Sequence, residues 1–534
     1  RMPRTETLRI AHFADRTLCG PADAKALDAA HLRNTGRAFI SPSQQAVVAP
    51  DDPVVRTLGL LLQQEDECPR ELWHADLSVR RLAAAQRSNE LDAYSTTDGI
   101  SDSLFTHGYR VVPLPDTSTV RSLLDARYGI VTNIYRDLTS DSNALVGAEF
   151  TRLGNRITAY GRGVDFETAE RLCLLELVER HAMYGPQRPL LQSTLAAMEA
   201  GHRVLRPEEV LHYVQEAVPG LRDPFDPCAK MGWVNGVDLR EGTEIWLPAQ
   251  LAYLAVEGEA VWGCETSNGV ALGATDAEAQ LFALTELVER DAFITFWFGR
   301  RVPRKVITDS LPVDARRRIA EATDAGAVVH VLDLSVLAGL AVIMVVVLGR
   351  DSTVATYQST AAHPDPAQAL SSALDEALVG FHVYERNPDV PGPELRPEEV
   401  ASLNDHVRWA AHRNQGHIYD WVLADPVLVD FDQVRGAADT PGCASAASAH
   451  EFLECLLAGP LAELRCIGVD LSTRLSNSIG CRVWRVLSPD VSPMWFGYQQ
   501  RRINRRALRA RLRAAGGSGV LPAPGEVPLV HPYA

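Results

Sequence analysis

One segment of this chain occurs twice, 110 positions apart. Leu174-Leu175-Glu176-Leu177-Val178-Glu179-Arg180 is echoed by Leu284-Thr285-Glu286-Leu287-Val288-Glu289-Arg290, with Ala169 against Ala279 upstream and Ala182 against Ala292 downstream. An internal repeat requires a fold containing the same local unit twice, with the two copies related by pseudo-symmetry. The apolar positions recur with helical period, so both copies read as helices, over 166–184 and 275–298, with Asp165 and Thr275 as N-caps. Thr275 and Glu278 also fit a capping box.

Residues three and four apart share a helix face. Glu176, Glu179 and Arg180 therefore point together, as do Glu286, Glu289 and Arg290. Carboxylates on an apolar helix are costly unless they meet cations. If the two helices come together, four carboxylates converge, and they cannot all ionise without divalent cations or arginines among them. Mg2+ favours carboxylates together with phosphate oxygens and water. The repeat thus reads as a Mg2+–nucleotide site, against the alternative of two amphipathic helices with solvated glutamates and local ion pairs. A phosphate loop of the Gly-Lys-Ser/Thr type is excluded, because none of the three lysines (Lys25, Lys230, Lys305) is so placed.

The other segments frame this site. The chain has 534 residues, 46% hydrophobic, and a net charge of -16, which argues against nucleic-acid or anionic-membrane binding. The longest apolar run, 336–349, is too short and too valine-rich for a membrane span of ~20 residues and reads as a buried strand. The nine cysteines include no C-x-x-C pair. Cys173 and Cys455 lie in apolar helical patterns as reduced core residues, which with the absence of a signal-peptide pattern implies a cytoplasmic protein. Residues 1–115 read as a small α/β accessory or partner-binding region, 116–515 as the main domain and 516–534 as a proline-rich tail. Strands are expected over 129–135, 232–239, 243–254 and 481–487. Further helices are expected over 367–385, 448–464 and, rich in arginine, 501–515.

Several segments match one family in order. Ser267-Asn268-Gly269-Val270-Ala271-Leu272-Gly273-Ala274-Thr275, followed by Glu278 and the second repeat, resembles a signature of YcaO-domain proteins. Gly161-Arg162-Gly163 with the first repeat resembles another. Ala361-Ala362-His363-Pro364-Asp365-Pro366 with Glu376, Gly468-Val469-Asp470-Leu471-Ser472, and Val483-Trp484-Arg485-Val486 continue the likeness over roughly residues 120–534. The resemblance implies a mixed α+β fold of YcaO type, with the repeat helices packed on β-sheets. It also implies ATP- and Mg2+-dependent cyclodehydration of Cys, Ser or Thr in a ribosomal precursor peptide to thiazoline or oxazoline.

On this resemblance Glu176, Glu179, Glu286 and Glu289 form the Mg2+ cluster. Arg162, Glu176, Arg180, Asn268, Glu278, Arg290 and Arg485 bind the nucleotide. The tail, ending Pro528-Leu529-Val530-His531-Pro532-Tyr533-Ala534, is similar to the proline-rich terminus of azoline-forming members, which gives His531, Pro532 and Ala534 a catalytic role. Implied partners are the precursor peptide, a separate E1-like (ThiF-like) leader-binding protein, an azoline dehydrogenase and a second copy of the chain. Leu172, Ala274 and Val379 depart from the family pattern. They support a second reading, a non-catalytic scaffold for a peptide or partner enzyme. A third is a thioamide- or amidine-forming enzyme, against which the tail argues.

Overall fold

The computed structural model describes the backbone of a hairpin, β1 (Leu8–His12) and β2 (Thr17–Pro21), and, with short gaps, residues 114–533. The rest of the expected accessory region 1–115, and Ala534, lie outside the described residues. Three sheets build the main body. β3 (Asn133–Asp137), β4 (Ala144–Arg152) and β5 (Asn155–Gly163) form an antiparallel meander with β5 at one edge. The second sheet has the order β6-β7-β15-β16-β9. Its strands are β6 (Leu191–Ser193), β7 (Met231–Asp238), β9 (Val270–Gly273), β15 (Ile467–Asp470) and β16 (Arg482–Leu487), and β8 (Glu244–Pro248) pairs with β7. The third has the order β13-β12-β11-β10-β14, formed by β10 (Arg304–Val306), β11 (Ala327–Asp333), β12 (Ala341–Gly349), β13 (Thr356–His363) and β14 (Val427–Val429).

Each sheet ends in a strand that runs into a long helix: β5 into α1 (Phe166–Met183), β9 into α2 (Asp276–Gly299) and β13 into α3 (Pro366–Arg386). The two copies legible in the sequence are therefore two of three equivalent units. Asp165, Thr275 and Asp365 cap the helices by accepting from Thr168, Glu278 and Ala367 backbone N–H groups. Four residues on, Ala169, Ala279 and Ala369 are each fully buried where helix and strand touch. Eleven residues on stand Glu176, Glu286 and Glu376. The third copy escapes the repeat search because Val379 and Gly380 replace the second glutamate and the arginine. The repeat helices meet chiefly through β9, which lies between them, rather than by packing helix on helix.

Glycine permits the close strand-to-helix approach. A Cβ on Gly161 would lie 2.0 Å from the Ala169 carbonyl oxygen and 2.3 Å from Cys173 N, and one on Gly273 would lie 2.5 Å from Ala279 N. Each unit seats its own apolar cluster. One surrounds α1 and the first two sheets, one surrounds α2, and one fills the space between α3 and the third sheet.

Several expected boundaries move. The strand expected over 243–254 stops at Pro248 and turns into the short helix Ala249–Ala252. That expected over 129–135 begins at Asn133. The apolar run 336–349 supplies β12, an interior strand of its sheet. Past α4 (Leu403–Ala411), the helix expected over 448–464 is α5 (Ala449–Ala458), ended by Gly459-Pro460, since proline removes the next backbone donor. The basic helix is α6 (Arg505–Ala514), capped by Asn504. It is not simply a solvated face, because Arg511 is buried against Asp291 of α2 at 2.6 Å, and Arg502, just ahead of it, against Glu265 at 2.7 Å. Cys173 is a free buried thiol as expected. Cys455 is not, because it forms a disulfide with Cys443, which removes the cysteine argument for a cytoplasmic location. Among the described residues no helix is long and apolar enough to cross a membrane.

The contact between β5 and α1 leaves no room for a side chain at Gly161. G161A is expected to destabilise the protein by about 1–3 kcal/mol, the usual cost of overpacking, read as a lower denaturation midpoint. An unchanged midpoint would refute the close-approach role.

Candidate active site

The three units are tied into a ring by their glutamates. Glu179 of α1 accepts the backbone N–H of Leu272 in β9 at 2.9 Å. Glu289 of α2 accepts the backbone N–H of Ala362 in β13 at 3.1 Å. Glu376 of α3 meets Arg162 of β5 at 3.1 Å, closing the circle. Arg162, Leu272 and Ala362 occupy equivalent places, each just before the turn into its helix.

Other contacts fix the carboxylates more tightly. Glu176 receives Arg180 through Nε at 2.9 Å and Nη2 at 2.6 Å on one oxygen, and the Tyr160 backbone N–H at 2.9 Å on the other. In the second copy Arg290 lies farther from Glu286, at 3.6 Å, and nearer to Glu289, at 3.2 Å. Glu376 also accepts the Ser359 hydroxyl at 2.7 Å.

Five carboxylates thus face three guanidinium groups, those of Arg162, Arg180 and Arg290. The imbalance shows in proton affinity. Burial, with the nearby charges of Glu286 and Glu176, pushes the Glu179 carboxyl up to about 8. Burial also pushes Glu286 up to about 7, with Glu289 adding and Arg290 opposing. Glu289 is likewise raised by burial. Burial acts to raise Glu376 too, but Arg162, Ser359 and Arg290 outweigh it and hold that carboxyl below its ordinary value. A site of excess negative charge suits divalent cations. Yet among the described residues no three acidic, His or Cys side chains gather tightly enough to hold a metal by themselves. A hard cation here would need further oxygens from phosphate and water, which is the coordination Mg2+ prefers.

The remaining expected residues fall into two groups. Asn268 is buried near the start of β9, and its Oδ1 has no protein partner. Glu278 is buried and accepts the Ala274 backbone N–H at 2.9 Å. Arg485 is held internally by Glu265 at 2.9 Å and by the carbonyls of Ala252 and Thr266, although its charge reaches Glu286. Of the departures from the family pattern, Leu172 is exposed and Val379 is buried in the core. His181 is buried and bonded to Arg152, and His363 accepts the Asp365 backbone N–H.

The tail enters the site. Successive carbonyls of Val530, His531 and Pro532 accept from Trp297, His406 and Gln358 at 3.0, 2.6 and 2.5 Å. His531 donates from Nε2 to the Trp495 carbonyl, and its Nδ1 accepts the Tyr533 backbone N–H. Burial, then neighbouring His406, holds His531 well below its ordinary pKa, so it sits neutral with both nitrogens engaged. The sequence reading missed Tyr533. Its hydroxyl donates to Glu289 at 2.7 Å, as the Thr360 hydroxyl does, and the two hydroxyls lie 2.6 Å apart. A lone phenol in an apolar, proline-rich terminus was the signal for it.

The family model of the YcaO cyclodehydratases, described as ATP- and Mg2+-binding, matches residues 160–492. An uncharacterized protein in the tfuA 3' region of Rhizobium leguminosarum bv. trifolii is 27% identical over 230 residues, 41% of this chain and 53% of that protein. A solved heterocyclase in complex with substrate and cofactor has a TM-score of 0.61 at 19% identity, covering 79% of this chain and 60% of that one. YcaO from Methanopyrus kandleri, bound with AMPPCP and Mg2+, has a TM-score of 0.49 at 18% identity, covering 77% and 93%. The chain spans about half of its curated relative and under two thirds of the heterocyclase. With the family match covering more than half of its length, the chain belongs to the YcaO family of ATP- and Mg2+-binding cyclodehydratases.

Proposed function

We propose that this protein uses ATP to cyclodehydrate Cys, Ser or Thr residues of a ribosomal precursor peptide. The observation that carries the reading is the three-unit ring itself, which gathers five carboxylates, three guanidinium groups and the chain's own tail. In the reaction the Cys thiol or Ser/Thr hydroxyl gives up its proton to solvent as it attacks the preceding carbonyl carbon, forming a C–S or C–O bond while the C=O π pair moves onto oxygen. The former carbonyl oxygen takes the γ-phosphoryl group of ATP. Phosphate then leaves with the C–O electron pair and the amide nitrogen loses its proton, giving the azoline, ADP and phosphate.

Mg2+ supplies charge neutralisation for the transferring phosphoryl group. Glu176, Glu179, Glu286 and Glu289 would hold it. Arg162, Arg180 and Arg290 lie within the same charge cluster and would meet phosphate oxygens, and Asn268 offers an unpartnered acceptor. Glu278 and Arg485 would support the site through the backbone and through Glu265. His531 and Pro532 would present the chain end, Ala534 included, to the reacting amide. A separate E1-like protein would deliver the peptide, and an azoline dehydrogenase would act on the product. The scaffold reading draws on Leu172 and makes one contrary demand, that Mg2+ not promote ATP binding.

Three experiments test the proposal. E286Q and E179Q are expected to weaken Mg2+-dependent ATP binding at least ~10-fold, about 1.4 kcal/mol, in calorimetric titration. The sign on stability is opposite. A carboxyl whose folded-state pKa lies above its unfolded value opposes folding once ionised, a cost absent at pH 4.5 and complete above about 8 for Glu179. Without Mg2+, E179Q should therefore be more stable than wild type at pH 8.5, by about 1–3 kcal/mol after solvent screening, and should match wild type at pH 4.5. Equal melting at both would contradict the charge crowding.

Deleting 531–534 is expected to abolish loss of water from a precursor peptide, followed by mass spectrometry with ATP and the candidate leader-binding protein, while the melting transition persists. Full dehydration by the truncated protein would eliminate the tail's role. ATP consumption without loss of water would favour thioamide chemistry, in which sulfur replaces the amide oxygen.

A further inference from the structure

The internal repeat supplies its own control. Glu176/Arg180 and Glu286/Arg290 have the same spacing on equivalent helices, and in the first copy the arginine closes on its glutamate through two nitrogens at 2.9 and 2.6 Å. In the second it does not, standing 3.6 Å away. The difference coincides with Tyr533, whose ring lies under the Arg290 guanidinium with 4.2 Å from its carbon to the ring centroid. A cation over an aromatic face is attracted by the ring quadrupole. The same ring packs edge-on against Phe293 at 4.6 Å, one turn along α2. Its hydroxyl meets Glu289 at 2.7 Å, sharing that carboxylate oxygen with Thr360.

We propose that Tyr533 is a positioning residue for the second half of the site: its ring draws Arg290 away from Glu286, and its hydroxyl orients Glu289. The first half needs no such part, because Arg180 rests on Glu176 and Glu179 on Leu272. Glu286 is thereby left with one long contact to Arg290, at 3.6 Å, in place of the two short ones of the first copy, and is more open to a cation. The tail's other bonds do not depend on this side chain, since they hold the carbonyls of residues 530–532. The proposal rests on the nucleotide reading of the cleft for its consequence, but not for its geometry.

Two variants separate the parts. Y533F keeps the ring and removes the hydroxyl, while Y533L removes both. Crystal structures without ligand should show Arg290 closing on Glu286 through two nitrogens in Y533L, as Arg180 does on Glu176, and staying over the ring in Y533F. Titration with Mg2+ and a non-hydrolysable ATP analogue should show binding weakened about 3–10-fold in Y533F and more in Y533L, with kcat and KM for ATP moving apart. Arg290 unmoved in Y533L overturns the proposal. So does departure of residues 530–532 from their groove in Y533F, which would make Tyr533 an anchor, and so does analogue binding equal to wild type in both variants. If wild type itself binds no nucleotide, the functional reading fails, and the Arg290 shift in Y533L still decides the inference.

Discussion

Glu179 to Leu272, Glu289 to Ala362 and Glu376 to Arg162 are the three bonds on which the site depends. Each joins a helix of one unit to the edge strand of the next, so three sheets that share no hydrogen-bonded strand are drawn around one point. A carboxylate accepting a backbone N–H makes a charge-assisted bond, stronger than a neutral one. The same groups are therefore asked to close the fold and to face the cleft. Two of the three bonds use one oxygen of a glutamate and leave its other oxygen for different partners. That division lets a structural contact and a functional one coexist in one side chain.

Concentrating charge at the junction has a cost in the free protein. Glu179 and Glu286 are raised because burial and like charges oppose ionisation, and arginine compensates only part of it. Functional sites are where such perturbed groups gather. Replacing the carboxylates with neutral amides, which keep an acceptor oxygen for the ring bonds, would relieve the crowding and remove the attraction for a cation. The preserved excess of acid is hard to explain for a scaffold, whereas a cation and phosphate would relieve it.

Much of this was legible in the residues. The twin Leu-Val-Glu-Arg segments led to two helices, and the caps at Asp165 and Thr275 with the helical periodicity placed α1, α2 and α3 to within a residue or two. The third unit was hidden because, apart from scattered alanines, Asp365, Leu374 and Glu376 are what persists there, and because Val379 breaks the paired-glutamate signal. Periodicity also overran three boundaries, where Pro248, Pro460 and Asn504 decide the chain's path by local chemistry. Arg485 and Arg502 could not be assigned from spacing, since their partner Glu265 lies more than 200 positions away. Cys455 was misread because a buried helical cysteine looks the same in sequence whether or not Cys443 reaches it.

The last thirty residues bear on α2 twice. Arg511 of α6 is buried against Asp291 at 2.6 Å, and beyond the intervening loop Tyr533 meets Glu289 and stacks on Arg290. Three consecutive residues of the second repeat helix, Glu289 to Asp291, are thus held by one C-terminal segment from two directions. Breaking a buried ion pair of the Asp291–Arg511 kind leaves an uncompensated charge and costs several kcal/mol, so α6 cannot be shed lightly. The tail bonds are individually weaker and mostly made through backbone carbonyls. A buried ion pair at Asp291 and lighter contacts at Glu289 and Arg290 thus hold the segment up to Tyr533 against α2. Among the described residues the first repeat helix has no equivalent of Tyr533, and its arginine closes on its glutamate through two nitrogens.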